Sequence, residues 1–390
     1  MQNLESQQLR IRPVKTRTEW KKFHLLPRSL HKHREFWVEP LALQVRQLWA
    51  PRQPYFQHAK ACAWIAERGS QVVGRISAQQ DRLQAEQGRA GLGQFGQLEA
   101  IDDAAVFDLL LDSAADWLAG HGCNEMQGPF DLSINQQCAL LVEGFDRPPM
   151  MMMGYAPPYY AEQLQRAGLS SCAELLAYRG RPDFQPPKSM TRILQRVGDR
   201  IQIEPITKSE LGEKAGLLRE IFNQAWANNW GFVPMTEAEF THIVNDMKLL
   251  VRPGYVNLAR FDGTPAAFMV TLPNLNEMIA DLNGSLLPIG VIKLLWRIGR
   301  KQCRSARVPL MGVTREHQQS ITGAALSYAL MAATQPHTIR DGIECVEQSW
   351  ILEQNRGMRS LIESLGMQIT QRYRIYGKAI EPVRHAEYVV

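Results

Sequence analysis

The chain has 390 residues and a mass of 44.3 kDa, too long for one ordinary domain and enough for two, each with its own core. Hydrophobic content of 45% against 21% charged is that of a globular protein, and no apolar run approaches the roughly 18 residues a membrane span requires. The net charge of +5 is uneven: residues 1–60 hold 12 Lys+Arg against 4 Asp+Glu, so the remainder is slightly acidic.

That basic front, with His24, His31, His33 and His58, suits a solvated face or an anionic partner. It carries no zinc spacing, no RNP-like aromatic strand and no helix-turn-helix signature, so nucleic acid is not expected as a partner. The polar opening MQNLESQQLR lacks an apolar core and a small-residue cleavage site, which argues against secretion. Six cysteines form no C-x-x-C pair and no metal-ligand spacing, which points to reduced thiols in a cytoplasmic protein and to no metal centre.

In chain order, AWIAERGSQVVGRISA predicts a strand, a turn at Gly69 and a second strand. The strand FGQLEAI then runs into Asp102 and Asp103, which can cap a helix with Val106, Leu110, Ala114 and Trp117 on its apolar face. GPFDLSIN and an insertion at 136–158 follow, the latter containing four consecutive methionines, Met150–Met153, that suit an adaptable apolar surface. Its hypothesised role is to line an acceptor or acyl channel, with Ser133, Asn135, Tyr159 and Tyr160 as polar contacts; the alternative is a loop packed on its neighbour. YYAEQLQRAGLSSCAELLAY predicts a helix stopped at Gly168 and a strand. Pro182, Pro186 and Pro187 then mark a linker at 181–189 between a first domain, 1–180, and a second, 190–390.

In the second half Thr207 and Glu210 form a capping box ahead of Leu211, Ala215, Leu218, Phe222 and Ala225, and Asn228 and Asn229 mark that helix's end. VNLARFDGTPAAFMVT repeats the strand–turn–strand pattern about Gly263. Residues 286–301, LLPIGVIKLLWRIGRK, form a basic amphipathic stretch with Leu287, Val291, Leu294, Leu295 and Ile298 on one side. It either covers the sheet as an ordinary helix or touches an anionic membrane surface, which would make the protein peripheral to the inner membrane. VPLMGVT predicts a strand over Pro309–Thr314, a helix opens at Gly323–Ala324, and IECVEQSWILEQN predicts a strand. The stretch RGMRSLIESLGMQITQRYRIY closes the pattern, with a helix stopped at Gly366.

Gly69 and Gly263 lie 194 residues apart, Gly168 and Gly366 lie 198 apart, and each pair stands at the same kind of boundary. Two similar folds in tandem follow, each a mixed, partly parallel α/β sheet flanked by helices (α/β, mixed α+β).

The chain resembles the GNAT superfamily of acyl-CoA N-acyltransferases, and within it a group of bacterial proteins with two such domains. The residues that carry the resemblance are WVEPL, VVGRISA, GPFDLSIN, EGFDRPPMMM and PPYY in the first half, and AWANNWGFVPMTEAEF, SWILEQN and YRIYGK in the second. The resemblance implies acetyl-CoA or a longer acyl-CoA as co-substrate and a small-molecule amine as acceptor. The resemblance also implies an alternative, since some related members are associated with long-chain acyl transfer onto a lipid amine of the sphingoid type.

On that pattern the thioester lies beside Gly312, Val313 and Thr314, and its pyrophosphate meets the turn after them. This turn normally reads Q/R-x-x-G-x-G/A, because backbone N–H groups at a helix N-terminus must approach the anion closely. Gln318, Gly323 and Ala324 are retained, but Ile321 replaces the first glycine; Asn355 matches the superfamily's fifth-strand Asn. The usual acid, a Tyr seven residues on, is replaced by Ile362. Tyr373, Tyr376, Ser349 or solvent must then supply the proton, or the thiolate leaves unaided; Glu347 is the candidate base. Trp226 and Trp350 wall an amine or acyl pocket, or are plain core. In the first half two carboxylates stand where the phosphate loop would be, so that repeat is expected not to bind CoA. The departures at Ile321 and Ile362 leave a third reading open, a non-catalytic binding protein on the same fold.

Overall fold

The protein is described here by a computed structural model, which covers residues 8–381. Residues 1–7, on which part of the argument against secretion rests, lie outside them.

The chain forms two compact units, one of residues up to Glu174 together with those from Tyr373, the other Leu175–Arg372. Strands β1 (Leu9–Pro13), β2 (Ala59–Arg68), β3 (Gln71–Asp81), β4 (Leu92–Ala100), β5 (Glu125–Gly128), β6 (Leu140–Glu143) and the start of β7 (Ser170–Gly180) belong to the first unit. So do helices α1 (Arg17–His31), α2 (Ala42–Leu48), α3 (Arg82–Glu86), α4 (Ala104–Gly120) and α5 (Tyr159–Arg166). Its sheet runs β1-β2-β3-β4-β5, antiparallel except for the parallel β4–β5 pair. The expected α4 forms where Asp103 caps it, and Val106, Leu110 and Ala114 are buried as predicted. Leu118 completes that face, while Trp117 is half-exposed.

The second unit holds α6 (Lys188–Val197), β8 (Ile201–Pro205), α7 (Leu211–Trp226), α8 (Glu237–Met247), β9 (Val256–Phe261), β10 (Thr264–Pro273) and α9 (Leu275–Ile279). It continues with α10 (Gly290–Gly299), β11 (Ser305–Val313), α11 (Ile321–Arg340), β12 (Cys345–Leu352), α12 (Arg356–Ser364) and the start of β13 (Gln368–Ala379). Its sheet runs β8-β9-β10-β11-β12, again antiparallel except for the parallel β11–β12 pair.

This repetition is the duplication that the glycine spacing predicts. Gly69, Gly263, Gly168 and Gly366 all have φ between 61° and 83°, in the left-handed region that a side chain enters only with strain. The unit boundaries fall inside β7 and β13 and not in the 181–189 segment. The last six residues of β7 pair with β12, Leu175 opposite Leu352, while Tyr376–Ala379 of β13 pair with β5.

Three local expectations change. Helix α11 starts two residues earlier than expected, at Ile321, because Ser320 caps it, and β11 starts at Ser305. Met150, Met151 and Met153 are buried, not a surface, and Met152 turns the chain with φ 61°. Of the predicted apolar side of residues 286–301 only Leu294 is buried.

Candidate active site

In the second unit β11 and β12 pair in register from Ser305–Cys345 to Val308–Gln348, and there the pairing stops. Strand β11 keeps its other neighbour, β10, as far as Val313, whereas β12 continues against β7 at Ile351 and Leu352. A wedge is thus left between 309–313 and 349–352. Sequence gives the cause, since Pro309, the first residue beyond the last pair, has no N–H to continue the ladder. Pro309, Leu310, Met311, Val313, Trp350 and Ile351 along the wedge are half-buried, while Gly312, Ser349 and Leu352 are buried.

The first unit has the same parallel pair but no wedge. Strands β4 and β5 pair over Leu92–Gln94 and Glu125–Gln127, after which the chain stays against β4, Phe130 N donating to Phe95 O at 2.9 Å. The approach is so close that a Cβ on Gly96 would lie 1.6 Å from Phe130 O, and one on Gly128 2.3 Å from Phe95 O. The chain's own backbone fills the space a ligand arm would need.

The helices that follow these strands differ in the same sense. Asp103 accepts hydrogen bonds from the N–H groups of Ala105 (2.9 Å) and Val106 (3.3 Å) and pairs with Arg68 at 2.7 Å, so a carboxylate already occupies the anion position at the N-terminus of α4. Helix α11 is capped by a neutral group: Ser320 Oγ accepts from Gly323 N at 3.0 Å and donates to His317 O at 2.6 Å. A Cβ at position 323 would stand 2.2 Å from His317 O, which is why glycine is needed there. Gln318 fastens the turn, its Nε2 donating to Ala225 O at 2.6 Å and Val313 O at 3.0 Å. Thr314 N donates to Ala266 O, Ala324 N to Ser320 O, and Gly312 packs against Ala225 and Phe268. Gly312, Val313, Thr314, Gln318, Gly323 and Ala324 therefore form one continuous strand–turn–helix edge of the wedge. Ile321 is exposed at its tip. Asn355 lies apart from this edge, its side chain capping α12 through Met358 N at 3.2 Å.

Glu347 is fully buried at the foot of the wedge, in register with Arg307 on β11 and Arg179 on β7. Its carboxylate accepts from Arg179 Nε at 2.8 Å and from Ser349 Oγ at 2.7 Å, with Arg307 Nε 3.9 Å away. Arg307, also fully buried, donates through Nε to Ser349 Oγ at 2.8 Å and lies 4.8 Å from the centre of the Trp350 ring. This carboxylate is buried and already engaged by Arg179 and Ser349, so it has no face open to substrate, which a general base needs. Ser349, at the first position past the last β11–β12 pair, stands between Arg307 and Glu347. Trp350 Nε1 is buried beside it with no hydrogen-bond partner. Trp226 packs on Phe222 and donates to Met311 O at 3.1 Å, joining the end of α7 to the wedge. Ile362 is core, fully buried.

Tyr373 and Tyr376 belong to the first unit, both fully buried, with Arg374 Nη1 3.5 Å from the Tyr376 hydroxyl. Ser133, Asn135, Tyr159 and Tyr160 are also there. Ser133 Oγ accepts from Asn135 N, and Tyr159 donates to Ala100 O at 2.7 Å. Tyr160 joins a buried cluster that sequence reasoning missed. Its hydroxyl donates to Glu99 Oε2 at 2.8 Å and accepts from Ala100 N, while His31 Nε2 lies 2.6 Å from the same carboxylate oxygen. Arg75 stands 3.8 Å from the other oxygen. Burial alone would raise Glu99, but His31, Arg75 and Tyr160 outweigh it and hold the carboxyl below its usual range. Nearby Asp131 is pushed up to about 7, chiefly by burial, with Arg75 opposing and Glu99 adding to the rise. The one sequence signal was a charge, Arg75 or Glu99, in the middle or near the end of a strand that is otherwise uncharged apart from the terminal Asp81. Among the described residues no group of His, Cys, Asp and Glu could hold a metal ion.

The strand order with one parallel pair and a following capped helix occurs twice, and the second unit adds the wedge between the fourth and fifth strands that marks a GNAT fold. A tandem GNAT protein from the clavulanic acid biosynthesis pathway superposes over 96% of this chain and 99% of its own, with a TM-score of 0.58 at 14% identity. A GCN5-related N-acetyltransferase from Anabaena variabilis superposes over 96% of this chain and 73% of its own, with a TM-score of 0.52 at 7% identity. No protein-family model matches the chain. Two bacterial proteins do align along nearly all of it. Protein YghO of Escherichia coli is 40% identical over 97% of this chain and 98% of its own length; the bacterial ceramide synthase of Caulobacter vibrioides is 39% identical over 95% and 98%. The chain belongs to the family these two proteins represent.

Proposed function

We propose that the protein is an acyl-CoA-dependent N-acyltransferase whose thioester site is the β11–β12 wedge of the second unit. The observation that supports it is the end of pairing after Val308–Gln348, which leaves 309–313 without a strand partner on the side where a pantetheine arm would lie. In this reading the pyrophosphate sits over the N-terminus of α11, and Gln318 and Gly323 shape the turn that receives it. The arm then extends along 309–313, and the thioester carbonyl lies near Ser349 and the unpartnered Trp350 Nε1. A neutral amine attacks the carbonyl carbon. The C–N bond forms, the tetrahedral oxyanion collapses, the C–S bond breaks and coenzyme A leaves as the thiolate. The amine's extra proton passes to solvent, while Glu347 and Arg307 hold the Ser349 hydroxyl in place beside the carbonyl. Glu347 is a positioning residue here and not the base.

For the acceptor, a long-chain lipid amine is favoured over a small polar one by the 39% identity to a protein named bacterial ceramide synthase, a ceramide being an N-acylated sphingoid amine. The test is thermal unfolding with CoA, acetyl-CoA and palmitoyl-CoA below micelle formation. Ligand at about a hundred times its Kd adds about 2.7 kcal/mol, roughly 5–10 °C in Tm for a unit of this size. A shift that grows with chain length supports lipid acylation. A shift without transfer to any amine leaves a binding protein, and no shift with any thioester rejects the site.

A further inference from the structure

Helix α10 and the four residues before it hold the largest run of exposed apolar side chains among the described residues. Leu287 is 79% exposed, Ile289 and Ile292 68% each, Leu295 50% and Trp296 53%. Along the helix Ile292, Leu295 and Trp296 fall at i, i+3 and i+4, one stripe facing away from the single buried residue, Leu294. This inverts the arrangement of an ordinary covering helix, whose wide apolar face lies on the core. Other exposed apolar residues, such as Leu43 and Ile339, stand singly.

Charge identifies what covers the stripe. Residues 286–304 contain Lys293, Arg297, Arg300, Lys301 and Arg304 and no acidic residue. Lys293 and Arg297 are turned back onto Asp281, which anchors α10 to the residues after α9 and holds the apolar stripe outward. Lys301 pairs with Asp341 and Arg304 lies 3.9 Å from Glu344, whereas among the described residues Arg300 pairs with no acid and extends over Trp296, its guanidinium 6.0 Å from the ring. An apolar stripe with an indole at its edge and the Arg300 guanidinium beside it matches the boundary of an anionic bilayer: acyl chains meet the stripe, a headgroup phosphate the guanidinium. No helix among the described residues is long and apolar enough to span a bilayer, so the contact is interfacial.

We propose that α10, with Leu287 and Ile289, is a membrane-docking element that seats the protein on an anionic lipid surface. The test uses the full chain without acyl donor, so its outcome is independent of the thioester site. Sedimentation is measured with phosphatidylcholine vesicles with and without phosphatidylglycerol. Binding should require the anionic lipid. Ile292→Glu with Trp296→Glu should weaken it about tenfold or more, and Arg300→Glu about fivefold. The control Leu43→Glu, equally exposed on α2, should leave it unchanged. Matched unfolding midpoints confirm that the variants fold. No pelleting of the wild type with anionic vesicles, or unchanged pelleting of the double variant, overturns the proposal. So does a concentration-dependent dimer that the double variant abolishes while vesicles bind neither protein, because a second copy then covers the stripe.

Discussion

Removing the Glu347 carboxylate tests whether it is a structural counter-ion or a base waiting for substrate. In Glu347→Ala, Arg307 would keep a buried guanidinium without the carboxylate 3.9 Å from it, and Arg179 would lose its 2.8 Å partner. Ser349 would lose its acceptor as well. Breaking a buried pair from one side costs about 3–5 kcal/mol, because the remaining charge stays desolvated. For a unit of this size that is roughly 6–20 °C in Tm at about 2–4 °C per kcal/mol. Glu347→Gln should cost less, since its amide oxygen still accepts from Arg179 or Ser349. The assay is denaturant unfolding with the midpoint and slope followed together, so that an altered unfolded state is not mistaken for lost stability. A loss for Glu347→Ala within about 0.5 kcal/mol, as at a surface site, would refute the reasoning and return Glu347 to the role of a free base.

Asp131→Asn should stabilise the protein in a pH-dependent way. A carboxyl with an ordinary value of 3.8 and a folded value near 7 binds its proton more tightly when folded, so the wild type loses stability as pH rises through that window. The advantage of Asn should be absent near pH 4, grow to a few kcal/mol at most by pH 7 and then level off; a constant difference across that range would contradict the assignment. Gly323→Ala must displace His317 O, 2.2 Å from the new methyl, and should cost about 1–3 kcal/mol while weakening thioester-induced stabilisation. If the variant gains the full ligand shift, the turn does not receive the cofactor. Ser349→Ala should lower the rate of thiol release about tenfold or more with little change in acyl-CoA affinity; an equal loss in both would make Ser349 a packing residue.

Much of the architecture was legible because it rests on local rules. The glycines at 69, 168, 263 and 366 sit where left-handed turns end a strand or a helix, and Asp103 caps α4 as its position ahead of an apolar periodicity requires. The strand–turn–helix run from Gly312 through Gln318 to Gly323 was legible as local structure too, since these residues are nearly contiguous. What escaped depends on residues distant in sequence. Arg179, Arg307 and Glu347 meet only because β7 passes beside β12, and neither strand's pattern says which neighbour it will take. A sequence reading could assign Glu347 to a strand but could not see the two guanidinium groups that commit it. Phe130 closing the first unit's wedge, and His31 reaching Glu99 from α1, are likewise long-range contacts. The outward stripe of α10 was misplaced for a different reason: periodicity marks an apolar face without saying whether a core covers it.

Hydrogen exchange with and without a non-hydrolysable acyl-CoA analogue tests the central claim most directly, because it localises the ligand without requiring turnover. Exchange should slow over residues 309–324, from the open side of β11 through the first turn of α11, and stay unchanged over 95–106, where Phe130 fills the equivalent space and Asp103 holds the helix end. Protection in the first unit's segment, or no protection in the second's, would contradict it.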